Sequence, residues 1–250
     1  MIQADCQWEN APEVLGLEPD VVHLWRLYIP ATVPQREKLA TCLTLVEQER
    51  AGRFKVAAPR DSFVIGRSVL RILLGRYTGT TAQKVSIGYT SFGKPYLDDD
   101  AKGSTLSFNL SHSGDWLVYA FGRSRMLGVD IEYHRKAVQS EEIVRRFFAP
   151  EELRLLLRFE GDARRRIFYA LWVRKEASLK AMGTGLARSL RGLELPFVEN
   201  APVLFRHAYC ADSGGACWLY PFSIAEDYSC ALVSCPPPGA VRHFDWALTG

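Results

Sequence analysis

Polar and apolar positions alternate along this chain with two different periods. From Val21 to Ile29, Val22, Leu24, Arg26 and Tyr28 alternate with Val21, His23, Trp25 and Leu27, the period of a strand, and Pro30 closes the run. The spacing of Leu39, Leu43 and Val46 predicts a helix over Gln35–Phe54. A stronger helix is predicted over Arg60–Tyr77. Phe63, Val64, Leu70, Leu73 and Leu74 supply its apolar faces, Asp61 or Ser62 caps it, and Gly75 or Gly79 stops it. Four strands are expected next, at Val85–Tyr89, Thr105–Asn109, Trp116–Phe121 and Met126–Tyr133. The second and third of these flank a polar turn, Ser111-His112-Ser113-Gly114-Asp115.

The order then repeats. Ile143–Phe148 and Pro150–Arg158 read as helices, with Pro150 in a first turn where its missing N–H costs nothing. Asp162–Met182 is the longest predicted helix, and strands follow at Leu193–Val198, Val203–Ala208, Cys217–Ser223 and Tyr228–Ser234. A long helix, then strands, then a closing hairpin, twice over, predicts an α+β protein of two similar halves joined near residue 123. The run Pro236-Pro237-Pro238-Gly239 is expected to end the core.

Composition narrows the function classes. The chain has 250 residues, 48% hydrophobic and 24% charged, which is ordinary for a globular protein. With 31 basic against 28 acidic residues, a formal charge of +3 points to neither a nucleic-acid-binding tail nor an acidic one. No apolar run approaches the ~20 residues of a membrane-spanning helix. The stretch Met1–Glu9 lacks the basic start and apolar core of a secretory signal. The six cysteines show no CxxC spacing and are expected to be reduced thiols of a cytoplasmic protein, with no zinc site.

Four groups of residues could carry chemistry. In Gly128-Val129-Asp130-Ile131-Glu132, a strand puts Asp130 and Glu132 on one face, about 7 Å apart along the backbone. Both carboxylates could meet one hard cation there, or simply form a solvated acidic face. In Trp172-Val173-Arg174-Lys175-Glu176-Ala177-Ser178-Leu179-Lys180, helical spacing puts Trp172, Glu176 and Lys180 on one face. Glu176 and Lys180 could be an ordinary stabilising pair. A tryptophan one turn earlier marks a desolvated surface instead, where an acid and an amine are tuned for proton transfer. Ser111, His112 and Ser113 offer donors to a phosphate or are plain turn residues, and no GxSxG elbow is present. Arg60, Arg67 and Arg71 share a helix face suited to phosphate oxygens or to solvent, and Lys94 stands in the tight turn Phe92-Gly93-Lys94-Pro95.

Taken together these segments resemble the phosphopantetheinyl transferases of the larger, surfactin-synthetase-activating type. The likeness rests on FGKP at 92–95, FNLSHS at 108–113, GVDIE at 128–132, RFFAPEE at 146–152 and WVRKEASLK at 172–180, and it spans about residues 21–235. The resemblance implies an α+β pseudo-dimer, with halves at 1–122 and 123–250 and the active site in the cleft between them. It implies transfer of the 4'-phosphopantetheine arm of coenzyme A to a serine of an acyl or peptidyl carrier protein, with release of adenosine 3',5'-bisphosphate. It further implies a monomer in the cytoplasm that binds neither nucleic acid nor membrane. Mg²⁺, or Mn²⁺ in its place, would be held by Asp130, Glu132 and Glu176. Glu176 would take the serine proton, Lys180 would act as acid toward the leaving phosphate, and Asp130 would complete the catalytic set. Lys94, Ser111, His112, Lys175 and Lys180 would hold the phosphates of coenzyme A, and Arg60 and Arg67 its nucleotide end. Ser62-Phe63 stands where many relatives carry Arg-Thr. Two other readings stay open at this point: a metal-dependent phosphohydrolase acting on a small nucleotide, and a non-catalytic module that binds coenzyme A or a carrier protein.

Overall fold

The computed structural model describes residues 7–98, 105–123, 125–135, 141–183, 191, 193–199, 201–206 and 215–247. The strands are β1 (Glu9–Asn10), β2 (Val21–Tyr28), β3 (Ile87–Tyr89), β4 (Pro95–Leu97), β5 (Leu106–Ser113), β6 (Trp116–Arg123), β7 (Met126–Tyr133), β8 (Val203–Arg206), β9 (Ala216–Phe222), β10 (Tyr228–Cys235) and β11 (Ala240–Asp245). The helices are α1 (Ile29–Thr32), α2 (Arg36–Ala40), α3 (Leu45–Gly52), α4 (Ala57–Thr78), α5 (Glu141–Phe147), α6 (Pro150–Leu156) and α7 (Gly161–Met182). Two sheets dominate, one in the order β1-β11-β2-β6-β5 and one in the order β7-β10-β9-β8, with β3 and β4 as a separate hairpin.

The alternation seen in the sequence sorts the strand residues into layers. In the first sheet Trp25, Leu27, Tyr119 and Phe121 face α4, packing on Ile65, Val69, Leu70 and Leu73. Their neighbours Val22, Leu24, Val118 and Ala120 point the other way, onto Leu127, Val129 and Ile131 of β7 and Leu232 of β10. The far side of the second sheet, through Leu219, Ala231 and Val233, carries α7 by Val173, Ala177 and Ala181. The result is helix, sheet, sheet, helix: two α+β halves meeting through an apolar sheet-to-sheet contact.

Several expectations need correction. The helix predicted over Gln35–Phe54 is broken. Thr44 starts α3 with a capping box, its hydroxyl accepting from Glu47 N while Glu47 accepts from Thr44 N. The polar segment 111–113 is no turn: β5 runs to Ser113, and the reversal is made at Gly114, whose φ is 55°. Residues 193–198 form no strand, and the last strand-forming residue near 203–208 is Arg206, with 207 and 208 outside the described residues. The chain after Pro238 does not trail off. β11 runs parallel to β2, with Phe244 opposite Trp25, so residues 240–245 complete the sheet of the first half.

Cysteine chemistry differs too. Cys217 and Cys235 form a disulfide with Cα atoms 4.5 Å apart. The cause is strand register: Ser234 pairs with Trp218, so the next pair outward sets Cys235 against Cys217 at the spacing of a non-hydrogen-bonded antiparallel pair. Cys6 and Cys210 lie outside the described residues.

Candidate active site

The site is built where α7 crosses β7. That crossing depends on Gly128: a Cβ there would lie 1.9 Å from the Ala177 carbonyl oxygen and 2.4 Å from Ala181 N. Only a residue without a side chain lets the helix backbone rest on the strand. Trp172 anchors the helix from the side, edge-on to Phe147 of α5. With Gly128 beneath the helix, Asp130 comes under its last turns.

Lys180 Nζ donates to Asp130 Oδ1 at 2.7 Å and to Ser111 Oγ at 2.8 Å, and Ser111 donates in turn to the same carboxylate oxygen at 2.8 Å. Asp130 is 3% exposed, and its Oδ2 is buried with no hydrogen-bond partner. Burial pushes its pKa up, against the pull of Lys180 and Ser111. Glu132 accepts from Ser113 Oγ at 2.7 Å, and burial raises its pKa as well. Glu176 is pushed up to about 7 by burial and by the charges of Asp130 and Glu132, with Lys180 opposing. The three carboxylates therefore sense one another, around one lysine.

Does this set suit a cation? Among the described residues, no three His, Cys, Asp or Glu side chains stand arranged to hold a metal ion. The expected trio is brought together but not gathered into a ligand cage. Three carboxylates without a cation repel, and the ammonium of Lys180 serves as the counter-charge on Asp130. The donors nonetheless fit a hard divalent ion: all are carboxylate oxygens, and Asp130 Oδ2 is a buried acceptor with nothing to accept from.

The remaining predicted residues divide. Ser111 belongs to the cluster. His112 hangs off the opposite face of β5 and is exposed, yet partial desolvation and the charge of Lys180 lower its pKa. Lys94 Nζ donates to the carbonyls of Leu127 (2.9 Å) and Ala181 (3.1 Å), bracing β7 to the end of α7, and burial pulls its pKa down to about 8. Beside it lies a cavity of about 350 Å³ between the halves, lined by Pro95, Leu97 and Phe108 on one side and Leu127, Ala181 and Gly183 on the other.

Lys175 does not reach the cluster. It is fully buried, pairs with Glu152 at 2.8 Å and donates to the Leu193 carbonyl. The same Glu152 oxygen caps α6 by accepting from Ala149 N at 2.8 Å, which explains the Pro-Glu-Glu of that segment structurally. Arg67 is also committed, to Glu47 at 2.5 Å, alongside the buried Arg71. Against burial, which works to raise it, hydrogen bonds from Arg71, Thr44 and Arg67 hold the Glu47 pKa down to about 2. Arg60 is 41% exposed and only 3.6 Å from Asp61. A charged residue in a sequence does not show its partner, so Glu47 and Glu152 were missed. Ser113, a phosphate-donor candidate in the sequence, instead binds Glu132 and Tyr133 N, and Asn109, expected only as a strand end, accepts from Val129 N; the alternation Asn-x-Ser-x-Ser ran past the expected strand end into what read as a turn.

Comparison with known proteins decides the family. Residues 31–123 match the model of the 4'-phosphopantetheinyl transferase N-terminal domain, and residues 126–233 match that of the 4'-phosphopantetheinyl transferase superfamily. The chain is 38% identical over 201 residues to 4'-phosphopantetheinyl transferase HetI of Nostoc sp., covering 80% of this chain and 84% of that one. The chain belongs to the 4'-phosphopantetheinyl transferase superfamily. Phosphopantetheinyl transferase of Thraustochytrium sp. is 34% identical over 74% of this chain and 69% of its own. 4'-Phosphopantetheinyl transferase Sfp of Bacillus subtilis is 27% identical over 83% of this chain and 89% of its own. In this transferase the two family matches meet between residues 123 and 126, in the short link from β6 to β7. The carboxylate cluster is therefore assembled across that meeting point, with Ser111 from the first match and Asp130, Glu176 and Lys180 from the second.

Proposed function

We propose that this enzyme transfers the 4'-phosphopantetheine arm of coenzyme A to a serine of an acyl or peptidyl carrier protein. Its family supports the reaction class. The observation that carries the site assignment is the convergence of Asp130, Glu176, Lys180 and Ser111 from both halves beside an unpartnered, buried carboxylate oxygen.

The serine oxygen forms a bond to the phosphorus bearing the pantetheine arm, and the diphosphate bridge breaks. Adenosine 3',5'-bisphosphate leaves. Glu176 accepts the serine proton. Lys180 donates a hydrogen bond to the departing phosphate and supplies its proton. In the free protein that ammonium is parked on Asp130 and Ser111. Asp130, Glu132 and Glu176 would hold Mg²⁺ or Mn²⁺, which would supply charge neutralisation for the diphosphate. His112 contacts phosphate at the rim, and Lys94 fixes the walls of the cavity next to it rather than touching the diphosphate. Arg60, the exposed member of its helix face, meets the 3'-phosphate. The enzyme acts as a monomer, because both walls of the site come from one chain. Among the described residues no helix is long and apolar enough to cross a membrane.

The test is mass spectrometry of apo carrier proteins incubated with the chain, coenzyme A and Mg²⁺. A gain of one phosphopantetheine group per carrier is expected. Release of the bisphosphate without a carrier would favour a phosphohydrolase, and neither event would leave a binding module.

A further inference from the structure

β5 and β7 are edge strands of different sheets. Edges leave backbone N–H groups without ladder partners. Here β5 meets the open edge of β7 with side chains. Asn109 Oδ1 accepts from Val129 N at 2.8 Å, and Ser113 Oγ accepts from Tyr133 N at 3.0 Å. Asn109, Ser111 and Ser113 share one face of β5 and are 3%, 9% and 6% exposed. Their two-residue step matches the step of β7, so each tooth of this comb meets its own stretch of the edge.

Ser113 does more than fill the edge. A backbone N–H can only donate, so the serine must spend a lone pair on Tyr133 N. Its single hydroxyl proton is thereby aimed at Glu132 Oε2, 2.7 Å away. One oxygen of Glu132 is held and the other is left for a ligand.

We infer that Ser113 is a positioning residue: it fixes Glu132 in the orientation that takes a divalent cation, and so sets the cation affinity of the site from the other half of the molecule. This rests on the assignment of Glu132 as a cation ligand made above. Losing the partner that orients a metal ligand typically costs ~10–100-fold in affinity.

The experiment is Mn²⁺ binding in the presence of coenzyme A, read from the electron paramagnetic resonance signal of free Mn²⁺, with thermal unfolding alongside. Ser113→Ala should bind Mn²⁺ at least about tenfold more weakly while staying folded. Ser113→Thr, which keeps the hydroxyl, should retain most of the affinity. If Ser113→Ala fails to fold, Ser113→Thr against Ser113→Val isolates the hydroxyl at constant shape. Equal Mn²⁺ affinity with and without the hydroxyl overturns the inference, as does an unaltered chain that binds no Mn²⁺. An unaltered chain that binds Mn²⁺ in a Ser113-dependent way but modifies no carrier sinks the transfer reading and leaves this one standing.

Discussion

A methyl group at Gly128 has no room. Placed there, it would lie 1.9 Å from the Ala177 carbonyl oxygen and 2.4 Å from Ala181 N, where an ordinary contact begins at 3.4 Å. These are backbone atoms of α7, which cannot rotate aside. Gly128→Ala must therefore lift the helix from β7 by about 1.5 Å, the shortfall in the closer contact. Overpacking of this kind costs about 1–3 kcal/mol, which for a chain of this size lowers Tm by several degrees, roughly 2–4 °C per kcal/mol. The larger effect falls on chemistry. Glu176 and Lys180 ride on that helix, and the Lys180–Asp130 contact is only 2.7 Å long. A misplacement of ~1 Å can cost on the order of 100-fold in rate. We expect kcat/KM for carrier modification to fall about 100-fold, measured by mass spectrometry under initial-rate conditions. Gly75→Ala is the control. A Cβ there meets the Thr80 carbonyl at 2.6 Å, at the end of α4, so it should cost stability and leave kcat nearly intact. Unchanged turnover in Gly128→Ala, or an equal loss in both variants at matched stability, would refute the reasoning.

Other outcomes follow from the same structure. Glu176→Gln should abolish transfer while leaving the chain folded and able to bind coenzyme A, checked by circular dichroism and calorimetry. Wild-type turnover would remove Glu176 from the mechanism. Glu47→Gln leaves Arg71 (4% exposed) and Arg67 (11% exposed) without their carboxylate, so unfolding in urea should show a loss of about 3–5 kcal/mol. A loss under 1 kcal/mol would mean the network is slack. His23 is 1% exposed, and burial and Arg242 lower its pKa from 6.5 to about 4. Between those values the unfolded chain takes up a proton that the folded chain refuses, so stability falls as pH falls. The expected contribution is about 2 kcal/mol between pH 7 and pH 5. His23→Phe should flatten the pH dependence of the urea midpoint by that amount, and an identical pH profile in the variant would contradict it.

What could be read from the sequence was what depends on near neighbours. β2, β7 and α7 were predicted almost to the residue because their apolar positions recur at strand or helix spacing; α4 was found too, but it starts at Ala57 with Val56 before it, ahead of the cap expected at Asp61 or Ser62. Asp130 with Glu132, and Glu176 with Lys180, were found because strand and helix periods place them together. What was missed depends on partners far along the chain. β11 is a polar-looking segment that becomes a strand only against β2, more than 200 residues earlier. The Ser-His-Ser run looked like a turn because its serines are polar. They are polar because they face the edge of β7, not water. Lys175, Lys94 and Arg67 looked available to phosphate because nothing in a sequence reveals a buried Glu152, a pair of carbonyls or a buried Glu47. The disulfide was missed because it is a matter of register between β9 and β10.

The central claim is that Asp130, Glu132 and Glu176 converge on one divalent cation beside the diphosphate of coenzyme A. Crystals grown with coenzyme A and Mn²⁺ test it by anomalous scattering at the manganese edge. A single strong peak is expected among those three carboxylates, with Lys180 released from Asp130 toward phosphate. A peak elsewhere, or Glu176 turned away from the metal with Lys180 still on Asp130, would contradict it.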